Sequence, residues 1–521
     1  MTDSDFWNGI GASSADIEHL YGFLLERGAP ARSRDLAAHL IEWRVREEER
    51  QRAELAARRA PLYQPKQTWT VGEHLIFSAF GNREGEVKQI RDSDNPRLAR
   101  FQVIGVRFAG EPHLREFAAT YTLPHPLSEE RTAATEALPK PEEAVARYGE
   151  VVRARLVQRL RVDKEFVHVD DGWFLRGLLP AIHAGHLNLA EAAIEQASDA
   201  LRTGDLLKIL DLPEGTKKSA AVFALDLALA NDTRFEDVGP TEGARWFLTR
   251  LEIPEARERP AILEGARSRT VPLPAELETI AAELHDEADL NGDADRRKVA
   301  PRDEITLVLT YPHRRAGTLP LTPTVRALLP EFTHPRFKIA FVDATTQEKI
   351  VGYAVADGDY LAGLSGWFNA RRLAPGAFVM LKRGADPLTL VIDYQSQRER
   401  GLWVRVARGI NGRLTFSQEK RPLAHKYDED MLVIIGDPVG IEAAAQAARS
   451  AQQPLTALLE EIFPELAKLS GAGRVHAKTL YSAINLIRRT GPRAVMSALT
   501  ESRAFASVGG GYFVLSEEAR R

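Results

Sequence analysis

The sequence contains no cysteine and only 4 methionines among its 521 residues. Disulfide frameworks, thiolate zinc sites and cysteine nucleophiles are therefore excluded. Long apolar runs are also missing, because stretches such as MLVIIG (431–436) are far shorter than a membrane-spanning helix requires. The opening residues MTDSDFWNGIG lack the basic and apolar regions of a signal peptide. We therefore predict an intracellular, cytoplasmic protein.

Recognisable enzyme motifs are missing as well. The sequence has no Walker loop, no dinucleotide-binding fingerprint after a strand and no Gly-x-Ser-x-Gly elbow. The nearest approach to a nuclease core is the trio Asp343, Glu348 and Lys349, in which a glutamine stands where a second acid belongs. We therefore expect a protein that is not an enzyme and that uses no cofactor.

Metal sites are equally poorly supported. The stretch DLNGDAD (289–295) begins like a calcium loop, but Ala294 replaces the required glycine and Ala300 stands where a bidentate glutamate belongs. His183 and His186 are one helical turn apart, but no third ligand lies near them in the sequence. We interpret the first stretch as an acidic linker and the two histidines as a helix boundary.

A chain of this length exceeds what one hydrophobic core supports, so several domains are expected. Its content of 44% hydrophobic and 27% charged residues is ordinary for a soluble globular protein. The net charge of −4 argues against a chain that binds polyanions over its whole surface. It is compatible with one local basic face.

Changes in hydrophobic period divide the chain into six predicted domains. They are a helix-turn-helix unit at 14–60, a small SH3-like β-barrel at 62–123, a helix plus wing hairpin at 142–180, a winged helix at 188–251, a β-barrel or pseudobarrel at 303–440, and a winged helix at 452–516. The predicted fold class is therefore α+β and multi-domain, with several winged-helix (helix-turn-helix) units and two small β-barrel-like domains. A linker is predicted at 124–141, and the charged, acidic stretch 257–302 is predicted to contain patchy helix around LETIAAELHDEADL (277–290).

One short skeleton, Phe-x-x-Val-x-x-Gly-aromatic-Phe, occurs twice. It reads FVHVDDGWF at 166–174 and FASVGGGYF at 505–513, and FEDVGPTEGARWF at 235–247 is a third copy with a longer turn. Asp171-Gly172 and Gly510-Gly511 are predicted to supply the positive φ of a tight hairpin. Each copy follows helices, which predicts a helical module closed by a two-stranded wing.

The unit at 452–516 and, less securely, the unit at 188–251 resemble the HARE-HTH family, the winged helix of the RNA polymerase delta subunit and of some restriction enzymes and chromatin proteins. The resemblance rests on PLTALLEEI, AKTLYSAINLIRR and the terminal FASVGGGYF at 452–516, and less securely on 188–251. It implies an adaptor for nucleic acid or the transcription machinery. The segment 361–384, with its Trp-Phe pair before a Leu-Ala-Pro-Gly turn, is similar to the pseudobarrel DNA-binding domain of plant transcription factors and certain restriction enzymes.

Cations at the predicted helix ends form the candidate nucleic-acid-binding set, because a winged helix contacts phosphates there. Cations at a helix end also complement its dipole, so this pattern alone does not decide between DNA and protein. The candidates are Arg32, Arg34, Lys217, Lys218, Arg371, Arg372, Arg474, His476, Lys478, Arg488 and Arg489.

Four aromatics of the β-rich block lie among basic residues, as a base-stacking surface requires: Trp367, Phe368, Tyr394 and Trp403. Filling the barrel core is the favoured alternative for them. Overall we expect an adaptor that contacts double-stranded DNA or the transcription machinery, and that is nucleoid-associated if DNA is its target. A protein-only scaffold and the recognition subunit of a restriction or defence system remain open alternatives.

Overall fold

The computed structural model describes residues 9–11, 13–58, 60–81, 83–94, 100–128, 139–213, 215–241, 243–265, 271–290, 299–300 and 302–516. The protein is mixed α+β, with several separate sheets of which one is curled into a half-barrel. It divides into two compact units, residues 1–180 with 214–223 and residues 181–213 with 224–521. Over the described residues, none of the helices combines the length and apolar character needed to span a bilayer.

The helices are α1 (Ser14–Arg27), α2 (Ser33–Arg58), α3 (Pro141–Arg161), α4 (Ala184–Ala197), α5 (Thr203–Leu206), α6 (Lys218–Ala230), α7 (Pro254–Arg257), α8 (Ala275–Glu283), α9 (Tyr311–Ala316), α10 (Pro323–Arg326), α11 (Ser365–Ala370), α12 (Pro438–Ser450), α13 (Leu455–Ala467), α14 (Ala477–Ile484) and α15 (Pro492–Glu501). The strands are β1 (Ala31–Arg32), β2 (His74–Phe77), β3 (Arg83–Asp92), β4 (Gln102–Phe108), β5 (Arg115–Ala119), β6 (Phe166–Val169), β7 (Gly172–Leu175), β8 (Leu201–Arg202), β9 (Phe235–Asp237), β10 (Arg245–Leu248), β11 (Glu304–Val308), β12 (Thr318–Pro320), β13 (Arg336–Asp343), β14 (Lys349–Val355), β15 (Tyr360–Ala362), β16 (Phe378–Arg383), β17 (Thr389–Tyr394), β18 (Ser396–Ile410), β19 (Arg413–His425), β20 (Ile434–Ile435), β21 (Val475–His476), β22 (Phe505–Gly509) and β23 (Tyr512–Leu515).

The amino-terminal module, made of α1, β1, α2, α3, β6 and β7, lies in the first unit. Helix α1 begins at a capping box between Ser13 and Asp16 and ends at Gly28, whose φ of 59° is left-handed. Leu40 of α2 and Leu156 of α3 belong to one hydrophobic core. The sequence predicted two domains here, at 14–60 and 142–180. The structure corrects this to one module, because amphipathic helices far apart in sequence bury their apolar faces together.

Between α2 and α3 the chain forms a four-stranded antiparallel sheet in the order β2-β3-β4-β5. Its core is strongly aromatic and includes Tyr63, Trp69, Phe77 and Phe108. The region predicted as a small SH3-like β-barrel, 62–123, thus forms a four-stranded sheet with its own core, and it is inserted in the sequence between α2 and α3 of the amino-terminal module.

The middle module consists of α4, β8, α5, α6, β9 and β10 and belongs to the second unit, except that residues 214–223 group with the first. Its hairpin has the longer turn that the sequence indicated. Asp237 Oδ1 accepts hydrogen bonds from the backbone N–H of Gly239 and Arg245, both at 2.9 Å. The N–H of Thr241 donates to the carbonyl of Glu331 at 3.0 Å, so this turn is reshaped around a contact with a neighbouring loop.

The carboxyl-terminal module consists of α13, β21, α14, α15, β22 and β23. All three modules share the order helix, short strand, two helices, hairpin. In each, the short strand pairs with the second hairpin strand, giving the sheets β1-β7-β6, β8-β10-β9 and β21-β23-β22. Phe166, Phe235 and Phe505 begin the three hairpins and are 4%, 6% and 7% exposed. The predicted repetition of one design is confirmed.

The hairpin turns differ from the prediction in one detail. In the amino-terminal module the left-handed residue is Asp170, with φ 49°, whereas Gly172 already pairs with Arg32 in the sheet. Aspartate tolerates this conformation better than most side chains do. In the carboxyl-terminal module Gly510 and Gly511 have positive φ, as predicted.

The curled half-barrel is a seven-stranded sheet in the order β11-β16-β17-β13-β14-β15-β12. Only β13 and β17 pair in parallel among its neighbouring strands in the described residues. Strand β13 alternates strictly, burying Phe337, Ile339, Phe341 and Asp343. The predicted single block at 303–440 is thus divided, because β18 and β19 leave the half-barrel and form a separate sheet.

That second sheet is dominated by a long two-stranded ribbon, β18 and β19, which we call the basic ribbon (396–425). Asn411 and Gly412 form its two-residue turn, with φ of 50° and 74°, as a tight hairpin requires. Near the turn, Ala407 and Phe416 share a core with Ile441 of α12. The turn end is therefore anchored in this core, whereas Val404, Val406 and Leu423, farther from the turn, pack in a separate core.

Within the acidic stretch 257–302, the helix predicted around 277–290 is confirmed by α8 (Ala275–Glu283). Leu277 and Ala281 of α8 are buried in the same core as α13, α14 and α15. Asp289 accepts backbone hydrogen bonds from Arg493 at the start of α15. The predicted acidic linker at 289–295 is described only at Asp289 and Leu290, and its remainder lies outside the described residues.

Candidate nucleic-acid interface

Four of the predicted contact residues, Arg32, Arg34, Lys217 and Lys218, are exposed. Arg34 lies in the first turn of α2. The exposed part of that helix carries both signs of charge and includes the ion pairs Arg46–Glu42 and Arg50–Glu47. This face is therefore not strongly electropositive, since the one cation of its first turn, Arg34, is followed by Asp35.

The carboxyl-terminal module does not present α14 to solvent. All residues of this helix except Lys478 are buried. Lys478 itself pairs with Asp428 and Glu283, both at 3.1 Å. Burial opposes its charge, but these two carboxylates outweigh burial and raise the pKa of Lys478. His476 is buried and its ring accepts from the N–H of Lys478 as the helix cap.

Arg489 is the clearest correction to the predicted set. It is buried, with its guanidinium paired to Asp286 and, at 2.7 Å, to Glu287. Glu287 also accepts from His313 at 2.8 Å, and Tyr481 donates to Asp286. Burial disfavours the charge of Glu287, yet Arg489 and His313 hold its pKa far below the usual range. A closed network of this kind leaves Arg489 no access to a phosphate.

Helix α15 is also covered by its own chain. Arg493 pairs with Glu278 of α8 at 2.5 Å, and Ser497 Oγ accepts from the N–H of Val271 at 3.1 Å. Arg488 is half-buried and donates to the carbonyl of Gln453 at 2.9 Å. Arg474 is exposed and lies 4.7 Å from the ring centroid of Tyr512. Insertion of α14 or α15 into a DNA groove would require this packing to open.

In the half-barrel, Arg371 is engaged and Arg372 is exposed. Arg371 pairs with the buried Asp343 at 2.5 Å. Asp343 also accepts from Trp367 Nε1 at 2.5 Å and from the backbone N–H of Thr346 at 2.6 Å. The assignment of Arg371 to nucleic-acid contact is therefore corrected, because its charge is used to hold α11 against the end of β13.

The same geometry argues against Asp343, Glu348 and Lys349 acting together as the catalytic residues of a nuclease. Asp343 is 2% exposed and fully engaged, whereas Glu348 and Lys349 are exposed at the start of β14. The predicted helix boundary at His183 and His186 is confirmed. Helix α4 begins at Ala184, and the N–H of His183 donates to His186 Nδ1 at 3.4 Å.

A cleft of about 960 Å³ in the second unit contains several arginines. Arg315 and Arg449 both pair with Glu442, at 2.6 and 2.9 Å. Their charges are therefore shared with one carboxylate, and the cleft offers less positive potential than its composition suggests.

The basic ribbon has a marked local excess of positive charge. Between residues 396 and 425 it has seven cations against the two acids Glu399 and Glu419, a surplus of five. The cations are Arg398, Arg400, Arg405, Arg408, Arg413, Lys420 and Arg421. Arg408 and Arg421 share Glu419, at 2.5 and 2.7 Å.

Arg398, Arg400 and Lys420 are exposed, and among the described residues no ion pair is found for any of them. Arg405, in contrast, is anchored: it donates to the carbonyls of Asp430 and Leu432, both at 3.2 Å. Burial lowers the pKa of Arg405 to about 10. The ribbon therefore combines one structural arginine with three cations that face solvent.

The structure distinguishes which of the four aromatic residues fill the core and which are available for base stacking. Trp367 and Phe368 are core residues, 4% and 0% exposed, and Tyr394 packs edge-on against Trp367 at 6.1 Å between centroids. Trp403, on β18, is 71% exposed. Neighbouring Val404 points to the opposite face and is buried. The alternation of apolar residues in VRVARG favoured a buried strand. It did not show whether the Trp403 side chain lies on the core face or on the solvent face of that strand.

A buried carboxyl pair lies between the middle module and β13. Arg336 binds Glu236 at 2.6 Å and lies 3.7 Å from Glu252, for whose two carboxylate oxygens no hydrogen-bond partner is found among the described residues. The hydroxyl of Tyr353 is buried and likewise without a partner. Burial, with a further contribution from Glu236, raises the pKa of Glu252 to about 7.

This pair makes stability depend on pH. A carboxyl group whose pKa is raised in the folded state binds more protons in the folded than in the unfolded protein. The free energy of unfolding therefore decreases as pH rises from about 4.5 to about 7. We expect Glu252→Gln to leave stability almost unchanged at pH 5 and to increase it by about 1–3 kcal/mol at pH 8. Urea denaturation at the two pH values measures this. An equal effect of the substitution at pH 5 and pH 8 would contradict it, and Glu255→Gln at the half-buried neighbouring position in α7 is the control.

Comparisons with known proteins add no assignment: no protein-family model, no curated protein and no solved structure matches the chain.

Proposed function

We propose that this protein is a non-enzymatic nucleic-acid-binding adaptor, in which the helix-and-hairpin modules build the scaffold and the basic ribbon contacts the nucleic acid. The observation that carries the proposal is the ribbon's surplus of five positive charges, with Arg398, Arg400 and Lys420 exposed and outside the ion pairs found. Exposed cations arranged along a strand pair match a phosphate backbone, and two-stranded ribbons are a known means of contacting nucleic acid.

The shared order of helix, short strand, two helices and hairpin supports assigning the three modules as winged helices of the HARE-HTH kind. The burial of α14 and the covering of α15 support a structural use of the carboxyl-terminal module in this chain. The seven-stranded half-barrel supports the resemblance of 361–384 to the pseudobarrel domain. A resemblance in fold does not settle function, so the proposal depends on the ribbon and not on the modules.

Local binding is compatible with the net charge of −4. Phosphate contacts depend on cations within a Debye length, about 10 Å at moderate salt, and not on the charge of the whole chain. Exposed Arg32, Arg34, Lys217 and Lys218 offer a second, weaker set of contacts. Linked weak sites strengthen each other through effective concentration.

The test is salt-dependent binding of labelled oligonucleotides to the full-length protein, followed by fluorescence anisotropy. We expect the triple variant Arg398→Ala, Arg400→Ala, Lys420→Ala to bind about tenfold or more weakly at low salt. The slope of log affinity against log salt should fall by about 2, since each lost phosphate contact removes about 0.7–0.9.

A matched variant separates the two predicted surfaces. Arg32→Ala, Arg34→Ala, Lys217→Ala also removes three exposed cations and should reduce affinity less than the ribbon variant does. The reverse ranking would move the interface to the helix ends. Failure of the wild-type protein to bind any oligonucleotide at low salt would reject nucleic-acid binding and leave the protein-only scaffold.

A further inference from the structure

We infer that Trp403 is a stacking platform for an unpaired base, so that the ligand of the basic ribbon is a nucleic acid with a single-stranded segment. This inference rests on the proposed function and names its substrate class. It begins from the exposure of Trp403. Large aromatics usually bury most of their surface, yet this indole is 71% exposed in the middle of a long strand.

The surroundings of Trp403 leave its ring accessible. Lys420 is its direct cross-strand partner, and the neighbouring pair on the same face is Gly401 and Pro422. A side chain at Gly401 would lie 2.9 Å from Cε of Lys420, so the lysine stem extends across the glycine. Among the described residues no other aromatic ring is found stacked on Trp403. An indole with an accessible ring face can stack on a base, and the ammonium group beside it can bind the phosphate of the same nucleotide.

The platform is held rigidly. Trp403 lies between Leu402 and Val404, which face the core of the second sheet. On its own face, the next residue along the strand is Arg405, fixed to the carbonyls of Asp430 and Leu432. A preorganised ring loses little conformational entropy when a ligand stacks on it. Mobility of a surface loop therefore does not explain the exposure.

The chemistry favours an unpaired strand over a duplex. In a duplex the base faces are stacked on each other, and side chains read only base edges and phosphates. Single strands expose their base faces, and aromatic side chains bind them without regard to sequence. Lys420, directly across the ribbon from Trp403, places a cation beside a stacked base and within reach of its backbone phosphate. A protein partner would have to neutralise the three solvent-facing cations of the ribbon, and a chain of phosphates does so without specific acidic side chains, which makes a polyanion the better occupant.

The experiment measures binding of full-length protein to oligothymidylate and oligouridylate of about twenty residues and to a duplex of similar length. We expect Trp403→Ala to weaken binding of both single strands about 5- to 150-fold while changing duplex affinity less than about twofold. The salt slope should stay the same, since no ionic contact is lost. Trp403→Phe should recover part of the affinity because it restores an aromatic face.

Exposed residues tolerate substitution, so an unchanged thermal midpoint of Trp403→Ala will show that the protein is folded. Val439→Ala removes another highly exposed apolar side chain in the second unit and should change neither affinity. Two results would contradict a role of Trp403 in base stacking while leaving the proposed function intact. One is that Trp403→Ala loses equal affinity for single strands and for the duplex. The other is that Trp403→Ala keeps full affinity while the triple cation variant loses binding. Absence of binding by the wild-type protein would reject both.

Discussion

Replacing Arg489 with alanine is expected to destabilise the second unit by about 3–5 kcal/mol, because it leaves two buried carboxylates without their counter-charge. Asp286 and Glu287 both bind this guanidinium, and both are less than 10% exposed. Urea denaturation followed by circular dichroism measures the loss. The value is large compared with the total stability of an ordinary domain.

Arg488 provides the matched control for this substitution. It is adjacent in sequence but half-buried, and its guanidinium donates to the backbone carbonyl of Gln453, so Arg488→Ala should cost less than about 1.5 kcal/mol. The pH dependence gives a second check. Because the pKa of Glu287 is depressed, the network stabilises the fold above about pH 4.5 and this contribution is lost as pH falls. Equal effects of the two substitutions would refute a stabilising role for the network.

The second large effect is expected for Asp343→Ala, at about 3–5 kcal/mol. This carboxylate joins Trp367, Arg371 and the backbone of Thr346 in a buried site. Its removal leaves several donors and one cation unsatisfied at the junction of β13 and α11. Asp343→Asn retains one carbonyl acceptor without the charge and should lose less.

Glu348→Ala is the control, because Glu348 is exposed and belongs to the same Asp343-Glu348-Lys349 trio; its effect should stay within about 0.5 kcal/mol. Thermal and urea unfolding measure both variants. A purely structural role would be contradicted if the wild-type protein cleaved plasmid DNA in the presence of magnesium and Asp343→Asn did not, although it kept its stability. That result would show that Asp343 is catalytic.

Much of the local architecture was predictable from the residues. The hairpins were located by Phe166, Phe235 and Phe505 and by the glycines and aspartates between their strands, because tight turns demand residues that tolerate positive φ. The turn at Asn411-Gly412 follows from the same chemistry. Helix α1 was recognisable because its apolar spacing ends at Gly28. These features depend on interactions within a few residues, and a linear pattern records them directly.

The candidate site was less predictable. A cation at a helix end has the same letter whether it faces water or a buried carboxylate, so Arg489 and exposed Arg474 were indistinguishable in the sequence. Trp403 was grouped with Trp367 for the same reason. The decisive partners lie far away in the chain: Arg489 meets Asp286 across 203 positions.

By itself, the amino-acid sequence determined the absence of thiol chemistry, the mixed α+β character and the threefold use of one helix-and-hairpin design, since composition, periodicity and turn chemistry act locally. Only the tertiary structure decided that α14 is enclosed, that the small β sheet is an insertion within one module, and that the basic ribbon presents Trp403 and three cations to solvent. Burial and charge pairing are properties of neighbours in space, and folding alone brings those neighbours together.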